Sequence, residues 1–212
     1  LVATGEGVVR DMFYDGRPRM EPGAIVTRVA PTFVRFGHFE LAAQRDDRAL
    51  LERLVDWVIT HHYPELATAD VAASRGAFFV EVCRRTAVMI AHWMAQGFVH
   101  GVMNTDNVAL SGETLDYGPC AFIDAYDPAA VFSSIDHQGR YAFGNQPRIT
   151  SWNLARLAEA LLPILHPEPE TALSMANEAL ATLPHRLQRH WIAALRAKLG
   201  LFNEEPDDAS LA

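Results

Sequence analysis

Residues 100–118 read HGVMNTDNVALSGETLDYG, and the reading of this stretch organises the rest of the chain. Val108-Ala109-Leu110 and Thr114-Leu115 are short apolar and β-branched runs on either side of Ser111-Gly112, the composition of a tight hairpin. With Ser111 and Gly112 as the loop, Leu110 pairs with Glu113, Ala109 with Thr114, Val108 with Leu115, and Asn107 with Asp116. Directly opposed side chains lie about 4.5–5.5 Å apart at Cβ, so an amide oxygen and a carboxylate would face one another. Such a pair suits Mg²⁺, which takes one or two protein oxygens and fills its other positions with phosphate and water. Asp106 sits one residue earlier and points away from that pair, as a base for an incoming hydroxyl would. The same residues also read as a plain surface hairpin, its Asn and Asp satisfying turns and caps.

Working upstream, apolar residues from Phe78 through Val82 and Met89 to Trp93, with Phe79, Cys83, Ile90 and Met94 beside them, predict a buried central helix over 74–96, stopped by Gly97. Before it, Leu50, Leu51, Leu54, Val55 and Val58 predict one amphipathic helix over 40–62, closed by Pro64. Residues 1–36 read as short strands and turns, broken by Asp15-Gly16, Pro22-Gly23 and Pro31. Downstream, 124–150 is loop-rich. Helices are then expected over 151–162, 170–182 and 185–199, the last capped by Gly200. The tail from Asn203 is acidic and expected to fray. The order is therefore α+β, a scrap of sheet followed by a helical body with a polar hairpin just after its central helix. That is the layout of the second half of a protein-kinase fold.

The bulk numbers are compatible. The 212 residues are half apolar, enough for one domain with a real core. A formal net charge of −8 argues against a nucleic-acid partner, which would require a basic face. No stretch approaches the roughly 18 apolar residues of a membrane span, and no basic-then-apolar leader is visible. Cys83 and Cys120 form no CxxC pair, so neither a disulfide framework nor a zinc site is expected. His61-His62 lacks a third ligand at metal spacing. Composition favours a bacterial cytoplasm over a mitochondrion. Of 18 basic residues only Lys198 is a lysine, so chemistry that needs a lysine has one candidate.

The hairpin resembles the kinase catalytic loop, H-R-D-x-x-x-x-N followed by D-F-G. His100 and Asn107 keep the spacing, and Asp116-Tyr117-Gly118 stands where D-F-G would. Val102 replaces the kinase's catalytic Asp, and the gap from Asn107 to Asp116 is short, which disfavours an ordinary protein kinase. Both departures, and the string HGVMNTDN…LDYGP, are similar to the SelO family. RVAPTFVRFGHFE at 28–40, FIDAYDP at 122–128 and GRYAFGNQPRITSWNLARLAEAL at 139–161 extend the resemblance over nearly all of residues 1–165.

The resemblance implies a kinase-like fold that binds ATP in an inverted orientation and transfers AMP to Ser, Thr or Tyr hydroxyls of target proteins. It implies that Asp106 is the proton acceptor, that Asn107 and Asp116 hold Mg²⁺ or Mn²⁺, and that Arg28 and Arg35 contact ATP phosphate. Read alone, the two arginines are solvent-facing strand cations. Their spacing would put them on opposite faces of a straight strand, and Pro31 interrupts it. Their convergence is an implication of the resemblance.

The resemblance divides the chain into a remnant of N-lobe strands (1–39), a helical C-lobe (40–202) carrying the metal-binding hairpin (98–123), and a tail (203–212). The family's upstream Gly-rich stretch and its phosphate-binding lysine with glutamate partner have no counterpart here, nor does its C-terminal extension. Lys198, in the last helix, cannot stand in for that lysine. The chain begins at Leu1 in mid-phrase and is expected to be a truncated piece, weak or inactive alone. A catalytically dead binding module is the alternative. His100 and His38 are expected to hydrogen-bond the backbone, Trp93, Trp152 and Trp191 to pack in the core, and Asp124 and Asp127 to cap turns.

Overall fold

The computed structural model describes residues 1–12 and 15–211. Phe13 and Tyr14, within the stretch expected to form strands and turns, and Ala212, at the end of the tail, lie outside the described residues.

The body is built around one long helix. Asp70 accepts a hydrogen bond from the amide of Ala73 at 3.1 Å and so starts it, satisfying a donor with no partner inside the helix. The helix runs from Val71 to Gln96 and stops at Gly97, whose φ of 68° is the left-handed cap that glycine adopts without strain. It begins three residues before the expected Ser74, because its start is set by the capping aspartate and not by the first apolar residue. Phe78, Phe79, Val82, Cys83, Ala87 and Ile90 are all buried along it, and each buried aromatic contributes about 2–3 kcal/mol.

The helix expected over 40–62 is two. Helix α1 spans Phe36–Gln44, and α2 spans Arg48–His62. Between them Asp46 takes a left-handed φ of 54°, and Asp47 accepts from the Leu50 amide at 2.8 Å, opening a second helix where periodicity alone continued the first. The long helix is α3. Helix α4 spans Gln146–Leu165, longer at both ends than the expected 151–162. Pro147 lies in its first turn, where proline's missing N–H costs nothing, and Pro163 is accommodated near its end. Helices α5 (Pro169–Ala181) and α6 (Leu183–Leu199) complete the body, and Gly200 closes α6 at φ 72°.

The remaining strands are short. β1 (Val2–Arg10) and β2 (Arg19–Ile25) form an exposed antiparallel hairpin, with Arg10 opposite Arg19 and an irregular register between Ala3 and Gly7. β3 (Phe98–Val99) pairs antiparallel with β4 (Ala121–Phe122) directly after α3. The chain is thus α+β and mostly helical, as expected.

One buried charge ties the helices together. The Arg75 guanidinium on α3 grips Asp56 of α2 at 3.0 and 2.8 Å and donates to the carbonyl of Ile164 on α4 at 3.3 Å. The tail does not fray as composition suggested. Residues Pro206–Leu211 form a 3-10 turn, and the buried Arg196 pairs with Asp208 at 3.0 Å and Glu204 at 3.2 Å. The acidic residues thus neutralise a cation that α6 buries. Among the described residues, no helix is long and apolar enough to cross a membrane. Cys83 and Cys120 are free thiols, and burial pushes the Cys83 thiol up to about 12.

Candidate functional site

The segment before α1 lies against residues 108–110 and makes the scaffold of the site. The Leu110 amide donates to the Val34 carbonyl and the Phe36 amide to the Val108 carbonyl, both at 3.1 Å, with Arg35 opposite Ala109. These bonds fix Arg35 at the mouth of the loop that carries Asp106 and Asn107. At the start of α1, the Arg35 amide donates to Nδ1 of His38 at 3.0 Å, the backbone role expected of that histidine.

Four of the five candidate residues come together. Arg28 Nη1 lies 3.2 Å from Asp116 Oδ1, and Arg35 Nη1 lies 3.2 Å from Asp116 Oδ2. Arg35 Nη1 also donates to the backbone carbonyl of Asp106 at 2.8 Å. The Arg28 guanidinium stands 5.3 Å from the centre of the Tyr117 ring, within cation–π range. Two arginines from a proline-broken segment therefore meet on one carboxylate, a convergence that strand periodicity did not contain. Asn107 sits apart from this ion cluster. Its Nδ2 donates to the Val102 carbonyl at 2.9 Å, which fixes the amide.

The hairpin register differs from the expected one by a residue. Val108 pairs with Thr114, not Leu115, and Asn107 lies in a 3-10 turn, Thr105–Asn107, outside the ladder, so the expected pairing of Asn107 with Asp116 does not form. The turn closes one residue earlier than expected, with the Gly112 amide donating to the Ala109 carbonyl at 3.3 Å across Leu110 and Ser111. Asp116 leaves the ladder in a left-handed conformation, φ 56°, and its carbonyl accepts from the Gly118 amide at 2.7 Å. Aspartate tolerates this region better than most residues, as at Asp46; here it turns the chain at the carboxylate on which both arginines close.

The loop is held from below by polar groups inside the core. His100 is fully buried; Nε2 donates to the Leu115 carbonyl at 2.6 Å and Nδ1 accepts from the Val102 amide at 3.3 Å. That is the structural role expected of it, and burial lowers its pKa below the ordinary histidine value. Trp93 stacks on His100 at 5.3 Å and donates to Thr114 Oγ1 at 2.9 Å. Trp93 packs in the core and Trp191 is partly buried against it, but Trp152 is 41% exposed between the guanidinium groups of Arg140 and Arg156. Asp127 caps a turn through the Ala129 amide at 2.8 Å.

Three supports were not read from the sequence. Tyr63, buried beneath the Arg85 guanidinium, donates its hydroxyl to the Leu110 carbonyl, and burial pushes it up to about 12. Gln146 accepts from the His100 amide at 3.0 Å and donates to the Phe98 carbonyl at 2.9 Å. Asn153 donates to the Met103 carbonyl at 2.9 Å. The available signal was a polar residue on an apolar helical stripe, since Asn153 stands between Ile149 and Leu157, both buried.

Beside Asp116, a cleft of about 500 Å³ is lined by Arg28, Met89, Trp93, Leu115 and Tyr117, a volume within the range of small-molecule sites.

Arg28 thus belongs both to the cleft lining and to the ion cluster on Asp116. The family described as Protein adenylyltransferase SelO matches residues 1–211, and the chain belongs to that family. It is 54% identical over 211 residues to the protein nucleotidyltransferase YdiU of Cereibacter sphaeroides, with 100% of this chain and 42% of that protein covered. To the proteins of the same name from Chromobacterium violaceum and Halalkalibacterium halodurans it is 51% and 49% identical, again over 100% of this chain and covering 43% and 41% of theirs. The chain therefore spans about two fifths of the length of these curated relatives.

Proposed function

We propose that this chain is the nucleotide-handling part of a protein adenylyltransferase of kinase-like fold, which moves AMP from ATP to a Ser, Thr or Tyr hydroxyl of a target protein and releases pyrophosphate. The observation that carries the reading is the meeting of Arg28 and Arg35 on Asp116, 3.2 Å each, with Arg35 also bonded to the Asp106 carbonyl. Family membership and the relatives' name, protein nucleotidyltransferase, support transfer of a nucleotidyl group to protein.

The donor set fits a magnesium or manganese ion. Asp116 Oδ2 is buried and held only by the Arg35 ion pair at 3.2 Å, with no well-formed hydrogen bond, and Asn107, with its Nδ2 committed to Val102, keeps Oδ1 as an acceptor. Such an ion, when bound, neutralises charge on the phosphate oxygens. Arg28 and Arg35 hold phosphate oxygens bidentately. Asp106 takes the proton of the attacking hydroxyl. The hydroxyl oxygen bonds to the α-phosphorus as the bond from that phosphorus to the pyrophosphate oxygen breaks. Chemistry of this kind depends on positioning and preorganised charge, which the pinned loop supplies. The relatives are bacterial, which supports a bacterial cytoplasm over a mitochondrion.

The chain alone is expected to bind ATP weakly and to transfer AMP poorly. The test is label incorporation from α-labelled ATP with Mg²⁺ or Mn²⁺, comparing this chain, a form completed with the flanking segments of its relatives, and Asp116→Ala in each. Labelling by the completed wild type alone is the expected outcome. No label in any form would favour the binding-module reading, and transfer from γ-labelled ATP would indicate a kinase.

A further inference from the structure

The second residue of α1 is Gly37. Glycine is a poor choice there, since alanine is the stronger helix former and the backbone at Gly37 is not left-handed. Local conformation therefore gives no reason for it. The reason lies across the site. A β-carbon at Gly37 would overlap Oδ1 of Asp106 outright and come within 3.1 Å of its Cγ, while Asp106 Cα would stay at 3.6 Å, an ordinary contact. The backbones thus accommodate an alanine, and the conflict is confined to the carboxylate.

We infer that Gly37 is a positioning residue for Asp106, an assignment that rests on the reading of Asp106 as the proton acceptor. Two positions at the head of α1 hold the same aspartate. Arg35 fixes its main chain through the 2.8 Å bond to the carbonyl, and Gly37 supplies the hollow into which its carboxylate settles. Asp106 is exposed and makes no side-chain hydrogen bond among the described residues. Shape, not bonding, therefore sets its direction. A methyl group at position 37 drives the carboxylate to another rotamer while leaving the arginine cluster and the hairpin in place.

The substitution Gly37→Ala separates this role from a structural one, because its effects on folding and on transfer have opposite signs. In the 212-residue chain, the carboxyl ¹³C signal of Asp106 is expected to move, with a melting temperature equal to or above wild type. In the form completed with flanking segments, turnover is expected to fall by about ten- to a hundredfold with KM for ATP unchanged. Added to Asp106→Ala, the same substitution should cost nothing further. An unmoved Asp106 signal, wild-type turnover, or an additional loss in the Asp106→Ala background overturns the inference. Wild-type transfer by Asp106→Ala alone overturns instead the assignment of Asp106 as the base, and does so independently of the carboxyl signal.

Discussion

Replacing Arg28 and Arg35 together by alanine is expected to change Mn²⁺ affinity in opposite directions with and without nucleotide. Without nucleotide, both guanidinium groups hold the Asp116 carboxylate at 3.2 Å, and a cation must displace them to reach it. The side chains involved are 33–37% exposed, so each pair is worth about 0.5–1 kcal/mol and not the larger value of a dry ion pair. Two pairs on one carboxylate give about 1–2 kcal/mol, or roughly five- to thirtyfold in affinity. Removing two positive charges from beside a dication acts in the same direction. The nucleotide-free double variant should therefore bind Mn²⁺ about tenfold more tightly than the wild type. With a non-hydrolysable ATP analogue present, the same arginines contribute charge-assisted bonds to phosphate, about 1.5–3 kcal/mol each. Their loss should then weaken the ternary complex by about a hundredfold or more. Electron paramagnetic resonance of free Mn²⁺ measures both on this chain, and Asp116→Ala is the control that abolishes binding. Equal or weaker Mn²⁺ binding by the nucleotide-free double variant would refute the exchange of arginine for metal on Asp116.

Tyr63→Phe removes the only side-chain donor to the buried Leu110 carbonyl given by the described residues and should cost about 1–2 kcal/mol in urea unfolding. The burial-lowered pKa of His100 means that the unfolded chain binds its proton first. Stability should be at its full value above about pH 6.5 and fall as pH drops below it, levelling off below the folded value. His190, lowered by burial and by Arg189, acts with the same sign. Urea midpoints at pH 7.5 and 5.5 test this, and the difference should shrink in His100→Gln. At pH 8, alkylation followed by mass spectrometry should modify Cys120 in the native chain and reach Cys83 only after denaturation, because burial shields that sulfur and pushes its thiol to about 12.

What could be read from the sequence follows from the range of the forces involved. Helix α3 and its Gly97 stop were legible because burial on most faces and a left-handed cap both leave a local pattern. The division of α1 from α2 was not, since Asp47 changes two helices through a single hydrogen bond while the apolar spacing on either side stays in phase. The hairpin register was misread by one position because the turn is centred on Leu110-Ser111, and an apolar leucine there gives no turn signal. Arg28 and Arg35 carried no periodic signal; only their likeness to a known motif put them near Asp116, and long-range pairing of 34–36 with 108–110 is what brings them there. Tyr63 stayed hidden because its role depends on a carbonyl 47 positions away.

Lys198 gives the fold a practical handle. Its ammonium donates to the carbonyl of Ala95 in the last turn of α3, where a cation also complements the helix dipole. Apart from the terminal amine, it is the single primary amine of the chain. Amine-reactive reagents thus have one side-chain target, an exposed lysine at the junction of the central and final helices. The rate at which an acylating dye takes that position therefore reports how often the ammonium leaves the Ala95 carbonyl, with no engineered probe.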